Sequence, residues 1–225
     1  MAHPVTVLIS GGGSNLQALI DRQAGSSYEI VQVISNVSGV GGLARAAAAG
    51  IPTRVIEHRA FASRALFDAA LGQALAESGA ELVCLAGFMR ILGPELVQAW
   101  SGRMLNIHPA LLPSFKGLHT HERALAAGVR VHGCTVHVVR PALDDGPVVV
   151  QGVVPVLPGD DPAMLAARVL EVEHQAYPLA LDLVASGRAR VGDATVELAP
   201  DQPGLVVHPA LAGARWAIAG APPVS

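Results

Sequence analysis

With 225 residues, 51% of them hydrophobic and only 15% charged, the chain has enough apolar surface for one large α/β core. Its net charge of -3 excludes the basic field that holds a polynucleotide backbone, so no nucleic-acid partner is expected and a small anion has to be held by local geometry. The mean hydropathy is +0.44, yet the apolar residues come in short runs broken by Gly, Pro and charge, never in a spanning stretch of about 20, so no membrane segment is expected.

The first residues, Met1-Ala2-His3-Pro4, lead directly into a strand-like run without the basic region of a secretory signal. Val5 to Ser10 is apolar and ends in Gly11-Gly12-Gly13, after which Ser14 opens a helical pattern through Leu16, Leu19 and Ile20. The alternation continues with a strand at Ile30 to Ser35, a helix at Gly42 to Ala49, a strand at Thr53 to Ile56 and a helix at Ala62 to Ser78. Leu82 to Ala86 is the next buried strand, followed by a short helix near Pro94 to Trp100 and a strand at Arg103 to Asn106. That rhythm predicts a Rossmann-like, mostly parallel twisted sheet with helices on both faces.

Beyond Asn106 the pattern changes. A Pro-rich loop from Ile107 to Gly117 precedes a helix around Glu122 to Ala127 and two strands, Gly133 to Val139 and Val148 to Val154, joined by the turn residues Asp144-Asp145-Gly146-Pro147. These read as an antiparallel pair. A long closing helix from Asp161 to Ala185 begins at Asp160 or Asp161 before Pro162. The organisation expected is one catalytic domain over 1–200, with a phosphate-binding half to about 100 and a second ligand-binding half after it. Residues 201–225 read as a tail, ordered in part by Leu205 to Val207 and Trp216. Cys84 and Cys134 lie far apart in buried-looking runs, as reduced core thiols of a cytoplasmic protein do.

The strand running into Gly11-Gly12-Gly13-Ser14-Asn15 leaves backbone N–H groups aimed outward at the positive end of a helix, which makes an anion seat. The plainer reading is a tight turn with Ser14 as N-cap. Leu16 stands where a dinucleotide fingerprint has its third glycine, the second strand ends at Asn36 instead of an acid, and no Walker lysine follows. A phosphate monoester is therefore favoured over NAD or a nucleoside triphosphate.

Asn106 and His108 alternate onto one side of a strand's carboxyl end, and Pro109 favours the extended conformation that keeps them there. An amide and an imidazole so placed can stabilise a developing oxyanion and move a proton, which suits acyl transfer to an amine. Asn-x-His alone is a weak signal; Asp144 in the following turn strengthens it, because a carboxylate beside the ring favours its cationic form. His119, His121 and His132 or His137 permit a metal reading on spacing alone, but lack a matching acidic or Cys partner. No metal is expected. His137 reads as a supporting residue and Asp145 as a turn residue.

The segments Val7 to Ala18, Leu85 to Leu92, Leu105 to Phe115, Leu118 to His121, His132-Gly133, Val136-His137 and Leu143 to Pro147 together are similar to the phosphoribosylglycinamide formyltransferases, in unbroken order from Val5 to about Val191. The resemblance implies a single-domain formyltransferase fold with an antiparallel C-terminal strand, N10-formyltetrahydrofolate as co-substrate, and Asn106, His108 and Asp144 as the catalytic set. It implies that the ribonucleotide is held by Gly13, Ser14, Asn15, Gly87, Pro109 and Leu170-Glu171-Val172-Glu173, with Glu173 on the ribose hydroxyls. It implies a formylfolate pocket of Arg64, Met89-Arg90-Ile91-Leu92, Asn106 and Arg140-Pro141-Ala142-Leu143-Asp144, and it leaves room for a homodimer. Gly12 and Asp145 depart from the family's usual residues, and the tail is not covered. The same trio serves formylfolate hydrolases and formyltransferases of charged tRNA or sugar amines. The first two are disfavoured by a first strand near Val5 and by the absence of a basic domain, the third by the phosphate seat and Glu173. A binding-only sensor is disfavoured by the intact trio.

Overall fold

A computed structural model of the chain describes residues 2–202 and 204–212; Trp216 lies outside them. The run His3–Ile9 forms β1 because it alternates between two buried faces. Val5, Val7 and Ile9 enter one apolar cluster and Leu8 enters another. The chain continues through α1 (Ser14–Arg22), β2 (Tyr28–Ser35), α2 (Gly41–Ala48), β3 (Thr53–Val55), α3 (Arg64–Glu77), β4 (Leu82–Leu85), α4 (Pro94–Ala99) and β5 (Met104–His108). These five strands are parallel, in the order β3-β2-β1-β4-β5. The chain turns back across β1 after β3, so β1 and β4 flank a topological switch and a crevice opens beyond their carboxyl ends. Gly11 to Gly13 and Gly87 to Met89 follow those two ends.

The second half adds α5 (Thr120–Ala126), β6 (Val131–Val138), β7 (Val148–Pro155) and α6 (Pro162–Ala185). Strands β6 and β7 form the antiparallel pair expected from sequence, and β6 also runs against β5, with Asn106 opposite His137 and His108 opposite Thr135. Strand β5 extends two residues past its expected end, through His108, which keeps Asn106 and His108 in one extended stretch. A small hairpin of β8 (Ala189–Val191) and β9 (Val196–Leu198) follows, unmarked by any turn signal read from the sequence. Strand β10 (Leu205–Val207) then pairs parallel with β7 at the sheet's edge, before the short α7 (Pro209–Ala212). The result is one eight-stranded, mostly parallel sheet covered on both faces: α1 and α6 bury one apolar cluster, α3 and α4 the other. Among the described residues no helix is long and apolar enough to cross a membrane.

Helix α6 starts where Asp161 accepts the Met164 amide at 2.8 Å, with Pro162 in the first turn. It is bound to the sheet by more than apolar packing. The buried Tyr177 hydroxyl is 3.0 Å from the Leu85 carbonyl and 3.2 Å from that of Leu105, on the two strands that lead into the site. Tyr177→Phe keeps the ring and removes these bonds; urea unfolding should show a loss of about 1–2 kcal/mol, and an unchanged midpoint would refute the role.

Candidate active site

The glycine turn is shaped by backbone contact. Gly13 is the N-cap of α1 in the left-handed region at φ 74, and a Cβ there would lie 2.6 Å from Gly42 Cα at the start of α2. Ser14 is thus the first helical residue and not the N-cap, and no side chain caps the helix. The first-turn amides are left for a ligand, next to the positive end of the helix. Arg45, from α2, crosses the turn: its Nε donates to the Gly12 carbonyl at 2.9 Å and its Nη1 to Gln17 at 3.3 Å. A depression beside the turn is lined by Ser14, Gln17, Arg22, Arg45 and His174, among others. Arg45 and His174 were not singled out from sequence, because only the packing of α2 and α6 brings them to the turn.

On the far side of the turn, Asn15 Nδ2 donates to Glu173 Oε2 at 2.8 Å. Glu173 is buried on α6, and desolvation pushes its carboxyl up to about 7 against the opposing Asn15 bond. Of its neighbours, Val172 points into the core, while Leu170 is half-buried and Glu171 is exposed, 3.0 Å from His208 Nε2 just past β10. Gly87, at φ 70, lies two residues past the end of β4, and Pro109 directly follows β5.

The structure brings Asn106, His108, His137 and Asp144 together. His108 Nδ1 is 3.5 Å from Asp144 Oδ2, with both side chains more than nine-tenths buried. The ring's Nε2 is 3.0 Å from the Phe115 carbonyl, an acceptor, so this nitrogen carries a hydrogen. His137 Nδ1 faces the carbonyl of Val138 at 3.1 Å, and Asn106 Nδ2 lies 3.1 Å from His137 Nε2. This network sets His137 as the neutral Nδ1–H tautomer accepting from Asn106, and burial, its leading cause, holds its pKa below the ordinary value. His137 Nε2 is 3.8 Å from Asp144 Oδ1, so the two imidazoles straddle one carboxylate. Asn106 keeps a second amide hydrogen for a ligand.

Asp144 reaches this place from a tight turn. It is left-handed at φ 48, its Oδ2 accepts the Gly117 amide at 2.8 Å, and a Cβ on Gly146 would lie 1.6 Å from the Val138 carbonyl. Asp145 turns outward to pair with Lys116. Arg140, Pro141, Ala142 and Leu143 form the exposed rim leading into it. In the segment after β4, Met89 and Ile91 are also exposed, with Arg90 half-buried and Leu92 buried. Arg64 is exposed at the first turn of α3.

The histidines of the metal reading are dispersed. His119 faces solvent near Glu122, His121 and His132 pack edge to face at 5.3 Å between ring centroids, and His137 belongs with Asn106. Among the described residues no group of three His, Cys, Asp or Glu side chains is arranged to hold a metal ion.

The formyl transferase family matches residues 3–181. The Escherichia coli (strain K12) phosphoribosylglycinamide formyltransferase is 46% identical over 189 residues, which cover 83% of this chain and 89% of that enzyme. The chain belongs to the phosphoribosylglycinamide formyltransferase family. A trifunctional purine biosynthetic protein adenosine-3 of Homo sapiens is 55% identical over 191 residues, 84% of this chain; the chain spans only 19% of that longer relative. Solved formyltransferases agree in fold: glycinamide ribonucleotide transformylase 1 from Symbiobacterium toebii has a TM-score of 0.85 at 43% identity, covering 88% of this chain and 94% of that one. The phosphoribosylglycinamide formyltransferase of Coxiella burnetii, in complex with CHES, has a TM-score of 0.85 at 44% identity, covering 92% and 99%.

Glu173 gives a titration that can be followed. Its folded-state carboxyl holds a proton up to about pH 7 that the unfolded chain releases near 4.5, so its contribution to stability is fully present below 4.5 and is lost as pH rises to 7. Glu173→Gln keeps an acceptor for Asn15 and removes the titration. The thermal midpoint of the variant minus that of the parent should grow between pH 4.5 and 7 and then level off; a difference independent of pH would show that Glu173 does not titrate in this window.

Proposed function

We propose that this chain transfers the formyl group of N10-formyltetrahydrofolate to the amine of glycinamide ribonucleotide, giving formylglycinamide ribonucleotide and tetrahydrofolate in purine biosynthesis. The observation that carries this reading is the buried His108–Asp144 pair with Asn106 on the same strand, in a sheet whose first strand runs into a glycine turn at a helix start with no side-chain cap. In the reading, the ribonucleotide phosphate rests on the open amides of Gly13 to Asn15 and its ribose meets Glu173. The folate enters between Met89–Leu92 and Arg140–Leu143.

The neutral amine attacks the formyl carbon, forming a C–N bond, and the carbonyl oxygen becomes an oxyanion facing His108 and the free Asn106 hydrogen. The amine's proton passes to folate N10, the C–N10 bond breaks and the formyl carbonyl re-forms. Both substrates share one cleft, so the transfer becomes effectively unimolecular and needs no covalent enzyme intermediate. In the ligand-free geometry His108 Nε2 donates to the Phe115 carbonyl. To act on the intermediate through that nitrogen, the ring must exchange this carbonyl for the substrate oxygen. The Asp144 carboxylate stabilises the ring while it carries charge. No metal is called on by this chemistry. Two free, buried thiols, Cys84 and Cys134, fit a reducing cytoplasm.

Absorbance-monitored release of the deformylated folate, with and without glycinamide ribonucleotide, tests the assignment. Product that requires the ribonucleotide supports it, and equal product without it indicates a hydrolase. His108→Ala should lower kcat by roughly 10²–10⁴ with little change in ribonucleotide affinity; full activity in that variant would sink the mechanism.

A further inference from the structure

The segment between β4 and α4 exposes Met89 and Ile91, yet its backbone is fastened at both ends by side chains from distant parts of the chain. At its start the Met89 amide donates to Ser10 Oγ at 2.8 Å. The Ser10 hydroxyl in turn donates to Asn36 Oδ1 at 2.6 Å, and the buried Asn36 has its amide nitrogen 3.2 Å from His58 Nδ1. At its end the Gly93 amide donates to Asp68 Oδ2 at 2.8 Å. Asp68 is buried on α3, and burial, opposed by the Gly93 bond and by Arg64 and Arg90, raises its pKa. Its other oxygen, Oδ1, has no hydrogen-bond partner among the described residues. A Cβ on Gly93 would lie 2.6 Å from Oδ2, so any larger residue there would push the carboxyl group out of its present position.

Burying a carboxyl group with one oxygen unsatisfied is unfavourable, and an apolar side chain on that helix face would avoid the penalty. What the acid supplies is a fixed amide at the end of an exposed loop. Ser10 does the same at the other end, and it immediately precedes Gly11, so one hydroxyl joins the phosphate-type turn to the loop.

We infer that Ser10 and Asp68 are positioning residues that clamp the segment Met89–Leu92 at its two ends and so set the main chain that reads formylfolate. The inference rests on the reading of that segment as part of the folate pocket.

The test measures three quantities in the full chain: affinity for a non-reactive formylfolate analogue, the KM of glycinamide ribonucleotide, and hydrogen exchange at the Met89 and Gly93 amides. Asp68→Ala and Ser10→Ala should each weaken the analogue about tenfold, the scale of one lost hydrogen bond to a fixed group. Exchange should quicken at the tethered amide, while the ribonucleotide KM of Asp68→Ala stays within about twofold. Asp68→Asn and Ser10→Thr, which keep an oxygen acceptor, should restore most of the affinity. Unchanged analogue binding in variants whose amides exchange faster would overturn the clamp, as would parallel losses for both substrates in Asp68→Ala, the mark of a merely structural role. Ser10 is only half-buried, so Ser10→Ala decides the matter if the Asp68 variant does not fold. A parent protein that fails to bind the analogue would overturn the folate reading and the clamp with it, whereas binding by parent and variants alike overturns the clamp alone.

Discussion

Asp144 is a carboxylate withdrawn from water, in a left-handed backbone conformation, between two imidazoles. Left alone, each of these conditions is unfavourable: αL costs a non-glycine residue about 1–2 kcal/mol and a buried carboxylate much more. The second half of the chain is arranged to offset them. The Gly117 amide donates to Oδ2, the His108 ring faces the same oxygen, and Gly146 lets the turn close against the Val138 carbonyl. Strand β6 has to run against β5 for His137 to stand opposite Asn106, so the one antiparallel strand of the described main sheet is the one the site needs.

The other half of the crevice depends on backbone proximity more than on charge. Gly13 and Gly42 meet almost backbone to backbone, which lets α2 carry Arg45 over the glycine turn. Helix α6 brings Glu173 to Asn15 and His174 to the depression beside the turn, and its Tyr177 hydroxyl anchors it to β4 and β5. The phosphate-type turn, the acid beside it and the Asn106–His108 strand are thereby registered to one another through a single helix.

Much of the sheet was legible because buried strands and amphipathic helices leave local signals. The glycine turn, the alternation of Asn106 with His108 and the Asp144 turn are each written within a few residues. What could not be read locally is what long-range packing decides. The Asn15–Glu173 bond spans 158 positions and the Met89–Ser10 bond 79. Ser14 looks like an N-cap in sequence, but the left-handed Gly13 takes that position. The hairpin of β8 and β9 and the pairing of β10 with β7 involve strands of three residues, too short for periodicity to show.

Strand β10 also changes what the sheet presents to other molecules. Without a neighbour, β7 would offer a row of open amides and carbonyls along Val-Val-Val-Gln-Gly-Val-Val, a run rich in β-branched residues and free of charge. Residues beyond the family match occupy it instead: Gln151 donates to the Gly204 carbonyl at 3.0 Å and the His208 amide to the Val153 carbonyl at 3.0 Å. The strand left at the edge is three residues long, a poor template for cross-β stacking. The segment Leu205–Val207 thus shields a strand that would otherwise be a ready template for pairing with another chain.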